Sequence, residues 1–149
     1  MTTIACNLSE MAGDRQVVDD HIGEYKTTKI EKIGDSIFGI CGDNCPDDVF
    51  QWLREAVNSE VPWHKAKRPK HAKKWSYFLI QLAPDGIWLW NQKLYRTKVE
   101  EPCYAVGSGR KVALYCMRHL NMNPKESVEQ ACLIDHWSNG PVDVLKLRE

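Results

Sequence analysis

The sequence lacks an excess of charge of one sign, a long hydrophobic run and a recognisable targeting segment. Its 149 residues carry 20 basic and 20 acidic side chains, so the formal net charge is zero. This balance argues against a general affinity of the chain for nucleic acid or membrane surfaces. No apolar stretch approaches the ~20 residues of a membrane-spanning helix, and the chain does not open with a basic and then apolar signal peptide. We therefore expect a cytoplasmic protein that does not bind membranes.

The sequence also lacks the paired Cys/His spacing of a zinc site. Its six cysteines are scattered and lie mostly within apolar segments. Cys41 and Cys45 have no second Cys/His pair at zinc-finger distance. Unpaired cysteine behaves as a small buried hydrophobe in intracellular proteins, so we expect free thiols, no metal and no cofactor. A chain of 149 residues is expected to form one domain, residues 1–149, whose core needs no disulfide.

Apolar periodicity and turn signals predict a succession of hairpins and helices. Strands are predicted at residues 3–8, 11–18, 25–33, 36–41, 76–82, 87–90, around 94–95, 103–106 and 142–147. Helices with one apolar face are predicted from Pro46 to about Asn58, from Arg110 to Leu120, and from Pro124 to a stop at Asn139-Gly140. Antiparallel hairpins covered by helices indicate an α+β layered sandwich.

The segment 61–75 holds six Lys/Arg, two His and no acidic residue. Such a run flanked by Trp63 and Trp75 would suit nucleic acid, because Lys and Arg bind phosphates and bases stack on aromatic rings. No aromatic residue is interleaved at closer spacing, however. We therefore favour a solvated loop or a docking surface for an acidic partner, inserted into the single domain.

The first fourteen residues carry the clearest chemical pattern. Removal of the initiator Met, which is usual before a small residue, would leave Thr2 with a hydroxyl and a free α-amine on one residue. A threonine hydroxyl needs a base to take its proton, and an N-terminal amine can be that base, directly or through a water. An α-amine titrates near ~7.7–8.0, so a useful fraction is unprotonated at neutral pH. Thr2 is thus a candidate nucleophile that carries its own base.

Several short motifs together resemble the proteasome β-subunit family, and within it the bacterial HslV-type threonine peptidases. They are Thr2-Thr3-Ile4, Ala12-Gly13-Asp14, Thr28-Lys29-Ile30, the hairpin from Ile33 to Gly39, Gly42, Val106-Gly107-Ser108-Gly109 and the segment from Asp135 to Gly140. The motifs follow the family's order over nearly the whole chain. The resemblance implies a four-layer αββα sandwich of antiparallel sheets, the N-terminal-nucleophile (Ntn) hydrolase fold. It also implies a threonine endopeptidase that works as a homo-oligomeric ring.

The resemblance implies a role for each matched residue. Thr2 is similar to the family nucleophile, and Lys29 to the lysine whose charge lowers the pKa of the Thr2 amine. Asp14 is similar to the carboxylate that pairs with this lysine. Each residue also has an ordinary explanation: Asp14 as a turn residue, Lys29 as a solvent-facing strand residue.

Further roles are implied for residues around these three. The implied supporting groups are Ser108, Asp135 and Ser138, with the Gly42 N–H facing the developing oxyanion. Thr27 and Ile40 are the implied substrate-binding residues, with Ile40 at the floor of an apolar first specificity pocket. The simpler explanation of Gly107-Ser108-Gly109 is a strand-to-helix turn.

The implied partners are polypeptide substrates, further copies in a ring and an AAA+ ATPase unfoldase. The sequence departs from the family after residue 58, where relatives have a second long helix that shapes ring contacts and this chain has its basic segment. Two alternatives stay open. One is a catalytically inactive, proteasome-like interaction subunit whose basic segment docks acidic protein or RNA. The other is an Ntn amidohydrolase that acts on a small amide.

Overall fold

The computed structural model describes residues 2–19, 23–42 and 46–148. The strands are β1 (Thr3–Asn7), β2 (Glu10–Gly13), β3 (Gln16–Asp19), β4 (Gly23–Lys26), β5 (Ile30–Ile33), β6 (Ser36–Gly42), β7 (Tyr77–Ala83), β8 (Gly86–Trp90), β9 (Arg96–Val99), β10 (Cys103–Gly107) and β11 (Asp143–Lys146). The α-helices are α1 (Pro46–Val57), α2 (Arg110–His119) and α3 (Pro124–Ile134), and 3-10 helices span Trp63–Lys65 and Lys70–Lys74. No helix in these described ranges is both long and apolar enough to cross a membrane.

The strands form two large antiparallel sheets and one small ribbon. The first sheet has the order β10-β1-β2-β11, and the second has the order β5-β6-β7-β8-β9. Strands β3 and β4 pair with each other as a separate two-stranded ribbon. The register of the first sheet places Thr3 opposite Gly107 and Ile4 opposite Gly13. This register brings the start of β1 beside the end of β10 and the end of β2.

Three apolar clusters show how the sheets and helices are layered. The first cluster lies between the two sheets, because it joins Ile4 and Met11 of the first sheet to Ile37 and Ile80 of the second. The second cluster joins the outer face of the second sheet to α1. The third joins Ala5 and Ala12 of the first sheet to α2 and α3. The order of layers is α1, second sheet, first sheet, then α2 with α3, so the predicted αββα sandwich is confirmed.

Alternation along β6 explains how one strand serves two layers. Ile37 belongs to the cluster between the sheets, whereas Phe38 and Ile40 belong to the cluster under α1. Successive side chains of a strand point to opposite faces, so an almost continuous apolar strand is needed where both faces are covered. From α1, Val49 and Leu53 are fully buried against this face. Burial of each contributes about 1.5–3 kcal/mol.

Two predicted strands are wrong because each is divided between separate sheets. The predicted strand 11–18 breaks after Gly13, and β3 then begins at Gln16 in the ribbon. The carboxylate of Asp14 lies at this break and accepts the backbone N–H groups of Thr3 and Gln16. The predicted strand 25–33 likewise divides into β4 and β5, which are separated by residues 27–29.

Two element ends also differ from prediction. Helix α3 begins at Pro124 with the predicted capping box on Asn123, but it ends at Ile134 rather than at Asn139-Gly140. Asp135 is already extended, with ψ of 117°, because its carboxylate is engaged by serines outside the helix. Strand β9 starts at Arg96 rather than near residue 94, since Leu94 has φ of +62° and cannot continue a strand.

The basic segment 61–75 is more structured than the predicted solvated loop. Trp75 is buried, and Trp63 packs with ring centroids 4.5 Å from Trp90 and 5.3 Å from Phe38. Both tryptophans therefore belong to the apolar layer on the outer face of the second sheet. Most of the segment's lysines remain exposed. Two short 3-10 helices lie in this segment, where the sequence departs from the family pattern.

Candidate active site

Thr2 lies immediately before β1 and is enclosed by the protein. Its side chain is only 4% exposed, and its Oγ1 donates a hydrogen bond of 2.8 Å to Oδ1 of Asp14. Asp14 reaches this position because β2 ends beside the start of β1, where the N–H of Asp14 donates to the carbonyl of Thr3. The β-hairpin thus sets the hydroxyl against a carboxylate.

Lys29 completes a buried group of three. Its Nζ lies 2.9 Å from Asp14 Oδ1 and also donates to the carbonyl of Gln16. Asp14 is fully buried and Lys29 is 4% exposed. The break between β4 and β5 allows the lysine to turn inward, so the solvent-facing reading of Lys29 is wrong. The structure therefore brings together Thr2, Asp14 and Lys29, three residues from separate segments.

Asp14 is surrounded by hydrogen-bond donors. Its Oδ1 accepts from Thr2 Oγ1, the Thr3 N–H and Lys29 Nζ. Its Oδ2 accepts from the N–H groups of Gln16 at 3.2 Å and Asn139 at 3.1 Å. Five donors suit the ionised carboxylate, which only accepts hydrogen bonds. Asp14 therefore fixes five groups from four parts of the chain.

The electrostatics of Lys29 combine two opposing effects. Burial lowers the pKa of Lys29 below its ordinary value, and the charge and hydrogen bond of Asp14 oppose this change. The balance is downward because removing an ammonium from water costs more than this pair recovers. Lys29 is thus a lysine whose proton is held less tightly than that of a surface lysine.

A second hydrogen-bonded group lies beside the first. Asp135 Oδ2 accepts from Ser108 Oγ at 2.6 Å and from Ser138 Oγ at 2.5 Å. Ser138 Oγ is also 2.7 Å from Thr3 Oγ1. Since the single Ser138 proton is donated to Asp135, Thr3 must donate to Ser138. The predicted residues Ser108, Asp135 and Ser138 therefore lie together, joined to the first group through Thr3.

The turn Gly107-Ser108-Gly109 packs closely against Thr2 and Thr3. Gly107 has φ of +97°, and a Cβ there would lie 2.0 Å from the carbonyl oxygen of Thr2. A Cβ on Gly109 would lie 2.1 Å from Thr3 Oγ1. Ser108 Oγ is 3.3 Å from the Thr2 carbonyl oxygen. The two glycines are thus more than a generic strand-to-helix turn, because they permit this contact with the start of β1.

The structure places the remaining predicted residues near Lys29 or at the end of β6. The N–H of Ile40 donates to the carbonyl of Lys29 at 3.0 Å, and its side chain is 4% exposed within the cluster under α1. Thr27 is half-buried, and its N–H donates to the carbonyl of Arg15 at 2.8 Å. Gly42 ends β6 opposite Tyr77, where a Cβ would lie 2.2 Å from the carbonyl oxygen of Ser76. The close approach of β7 therefore already requires glycine at position 42.

Sequence reasoning missed three contributors to the site: Thr3, Gln16 and Asn139. The hydroxyl of Thr3 was visible in the sequence, but nothing showed that it would face Ser138. Gln16 and Asn139 contribute main-chain groups to Lys29 and Asp14 respectively. Any residue supplies such groups, so no side-chain pattern could have found them. Arg15 adds a partly exposed ion pair of 2.7 Å with Asp143 at the edge of the site.

Cys132 of α3 lies close enough to Asp14 and Lys29 for their charges to affect its pKa. Burial, and then the negative charge of Asp14, raise the pKa of Cys132 to about 11. The thiolate is the reactive form of cysteine, so this thiol is inert near neutral pH. Cys6, Cys103, Cys116 and Cys132 are free thiols, and Cys45 lies outside the described residues. Within the described ranges, no three His, Cys, Asp or Glu side chains converge on a metal position.

Comparison with solved structures identifies the fold. Eukaryotic HslV from Trypanosoma brucei aligns with 97% of this chain and 98% of its own, at a TM-score of 0.73 and 19% identity. This chain has the HslV fold. BPH from Thiobacillus denitrificans also aligns, over 98% of this chain and 97% of its own, at a TM-score of 0.66 and 17% identity. The predicted HslV resemblance is confirmed at the level of structure.

A second structure of BPH, in complex with epoxomicin, aligns over 99% of both chains at a TM-score of 0.67 and 17% identity. No family model matches the sequence, and no curated protein is significantly similar to it. The chain therefore shares the HslV fold with these proteins although its sequence has diverged widely from theirs. The proposed chemistry must rest on the residues themselves.

Proposed function

We propose that this protein is a threonine peptidase in which Thr2 becomes N-terminal by removal of Met1 and attacks peptide carbonyls. The observation that carries the proposal is the buried chain of contacts from Thr2 Oγ1 to Asp14 Oδ1 and on to Lys29 Nζ. A buried lysine and carboxylate are costly for stability, so their placement against a hydroxyl favours a chemical role. The HslV fold supports the same assignment.

In the proposed reaction the Thr2 α-amine takes the proton of Oγ1, directly or through a water. The oxygen attacks the scissile carbonyl, and the resulting oxyanion is stabilised by the N–H of Gly42. The leaving amine takes the proton from the α-ammonium group as the C–N bond breaks, which leaves an ester on Thr2. Water, deprotonated by the same amine, then hydrolyses the ester. The charge of Lys29 keeps the pKa of the amine low enough for it to act as a base at neutral pH.

The group around Asp135 has a positioning role in this proposal. Thr3 is held by Ser138 through its hydroxyl and by Asp14 through its N–H. Ser108 reaches the carbonyl of Thr2. These bonds hold the Thr2 carbonyl and the Thr3 main chain, so in this proposal they fix the backbone from which the hydroxyl of Thr2 projects. Such preorganisation lowers the entropic cost of reaching the transition state.

We propose that Thr27 and Ile40 contact the substrate. Thr27 lies just before Lys29 in the sequence, and Ile40 is hydrogen-bonded to Lys29. An apolar first pocket with Ile40 at its floor would favour cleavage after Leu or Phe over cleavage after Glu. Fluorogenic peptides that differ only at the residue before the cleaved bond test this assignment. Faster cleavage after Glu than after Leu or Phe would exclude it.

Assembly into a cytoplasmic homo-oligomeric ring that receives polypeptides from an AAA+ ATPase is part of the proposal. Leu133 and Ile134, at the end of α3, are 78% and 71% exposed, and Trp137 is 40% exposed. Three large exposed apolar side chains within one short segment are consistent with an interface between copies of the chain. Sedimentation of the purified protein tests the ring directly, since a monomer would contradict it.

The test of the chemistry is the intact mass and peptide map of the protein before and after incubation with a peptide epoxyketone. This class of reagent forms its ring adduct with both the hydroxyl and the free amine of an N-terminal threonine. An adduct on Thr2 supports the proposal in one step. Free Thr2 without an adduct, under conditions in which the protein is folded and assembled, would favour an inactive interaction subunit. Hydrolysis of small amides without cleavage of polypeptides would favour an amidohydrolase.

A further inference from the structure

The basic segment forms one wall of a cavity whose described lining includes none of the residues to which the proposed reaction assigns a role. The cavity has a volume of about 300 Å³ and is lined by Arg68, Lys70, Lys73 and Lys93, with Trp75 at its wall. Among the residues that the structure describes, none of those that line it is acidic. We call it the basic cavity. Four cations around so small a volume repel one another, and that repulsion is relieved when an anion enters.

Arg68 is held in place within this cavity. Its Nη1 donates to the carbonyl of Gln92 at 2.6 Å and lies 3.4 Å from the hydroxyl of Tyr77. A guanidinium carries five N–H donors in a planar fork, so several remain for a ligand. A prepositioned fork suits the paired oxygens of a phosphate group. The geometry of Arg68 is thus fixed before a ligand arrives.

Trp75 provides a second and independent sign of a missing partner. The residue is 4% exposed, and its Nε1 is a buried donor without a hydrogen-bond partner in the described structure. Buried donors in folded proteins are nearly always paired, so this unpaired donor calls for an acceptor such as an ordered water or a bound anion. Trp75 lines the basic cavity, so an anion held there is one such acceptor.

We propose that the basic cavity binds an oligophosphate, a short chain of condensed phosphate groups. Such a ligand brings several negative charges into a small volume, whereas one peptide carboxylate would neutralise only one of the four cations. Single-stranded nucleic acid is disfavoured because Trp75 is buried and Trp63 is packed against Trp90, which leaves no open tryptophan ring in the segment for a base to stack on.

A neighbouring cavity shows why the site is confined to this side of the segment. It has a volume of about 530 Å³ and shares Arg68, Lys70 and Trp75 with the basic cavity. Its opposite wall, on α1, adds the carboxylates of Asp48 and Glu55. These charges would repel phosphate oxygens. We therefore assign the anion to the basic cavity.

The test is calorimetric titration of the full chain with sodium tripolyphosphate at low and moderate salt. The double variant Lys70→Ala/Lys73→Ala should lower the affinity about tenfold or more. The matched control, Lys65→Ala/Lys74→Ala, removes the same charge from the same segment at positions that do not line the cavity. It should stay within about twofold of the wild type. An equal loss in both variants, or no binding to the wild type at millimolar tripolyphosphate, would overturn the proposal.

Two further ligands identify the recognised chemistry. ATP should bind no more tightly than tripolyphosphate, since only the phosphates are recognised; much tighter binding of ATP would show a base-recognising site instead. A short oligoglutamate of similar charge should bind more weakly, and equal or tighter binding would assign the cavity to an acidic peptide. Trp75→Phe keeps the ring and removes the donor, so it should weaken tripolyphosphate binding severalfold. Unchanged binding in this variant would exclude the indole from the site.

Discussion

Thr2 Oγ1 and Asp14 Oδ1 are joined by a hydrogen bond of 2.8 Å, and Lys29 Nζ lies 2.9 Å from the same carboxylate oxygen. The Thr2 hydroxyl, which we propose as the nucleophile, and the lysine therefore share one acceptor. This arrangement gives Asp14 two separate tasks. It compensates the buried charge of Lys29, and it orients the hydroxyl. Loss of Asp14 should consequently affect both stability and activity.

Asp14→Asn tests the stabilising task. The substitution keeps the shape of the side chain but leaves the Lys29 ammonium buried without its counter-charge, which typically costs about 3–5 kcal/mol. We expect that loss in guanidinium unfolding, together with loss of peptidase activity. Asp143→Asn is the matched control, because it breaks the partly exposed 2.7 Å pair with Arg15. It should cost less than about 1 kcal/mol, and equal costs for the two variants would contradict a special role for Asp14.

Thr2→Ala tests the nucleophile. The variant should lose activity by at least about 10⁴-fold on fluorogenic peptides, because no other group is placed to form the acyl ester. Its stability should fall by only about 1 kcal/mol, the value of one hydrogen bond. Thr2→Ser, which keeps the hydroxyl and the amine, should retain measurable activity. A Thr2→Ala protein that still cleaves peptides would show that the chemistry lies elsewhere.

Gly107→Ala tests the close contact between the turn and Thr2. The new Cβ would lie 2.0 Å from the Thr2 carbonyl oxygen, in addition to the strain of φ at +97°. We expect a cost of about 3 kcal/mol or more, measured by thermal unfolding, and disrupted activity. Gly23→Ala is a close control, since Gly23 has φ of +95° with nothing within 4 Å of the added Cβ.

Gly23→Ala should lower the free energy of unfolding by only about 1–2 kcal/mol, the cost of the left-handed backbone conformation. If Gly107→Ala destabilised the protein no more than Gly23→Ala, steric contact with Thr2 would not be the reason for glycine at position 107. The comparison separates strain in the main chain from the collision, which a single variant could not do.

The raised pKa of Cys132 predicts how the free energy of unfolding changes at alkaline pH. Its pKa is raised from 9.0 to about 11, so between these values the folded state retains a proton that the unfolded state releases. Stability contributed by the neutral thiol is therefore present below pH 9 and is lost as the pH rises towards 11. The loss should be about 1–2 kcal/mol after allowance for partial exposure.

Urea unfolding of the wild type and of Cys132→Ala at matched pH values isolates this contribution. The difference in unfolding free energy between the two proteins should shrink with rising pH across the window. A constant difference would show that the thiol titrates normally. Lys29 acts in the opposite direction, because its pKa is lowered and the unfolded state binds more protons. Burial and Asp14 are the larger causes of that shift and Cys132 a smaller one, so most of the Lys29 effect is common to both proteins.

Much of the fold was readable from the sequence because its signals are local. The Gly34-Asp35 hairpin, the Pro46 helix start and the Asn123 capping box all depend on neighbouring residues. The breaks between β2 and β3 and between β4 and β5 were not readable, since residues 11–18 and 25–33 still look like continuous strands. Only the tertiary contacts of Asp14 and Lys29 decide where these strands end.

The candidate site was likewise predictable from the sequence only in part. The side chains of Thr2, Asp14 and Lys29 were found through a family resemblance, and the fold places them together. The N–H of Asn139 and the carbonyl of Gln16 were invisible, because main-chain groups carry no sequence signal. Gly42 was predicted for the approach of a substrate, whereas the carbonyl of Ser76 in the adjoining strand already requires it.

The bond from the Asn139 N–H to Asp14, and that between Thr3 and Ser138, join segments 125 and 135 residues apart around Thr2. These partners can meet only after residues 138 and 139 have been synthesised. A nascent chain that has not reached them therefore holds Thr2 without its finished surroundings. The order of translation itself delays completion of the proposed site until the segment after α3 can pack beside β1 and β2.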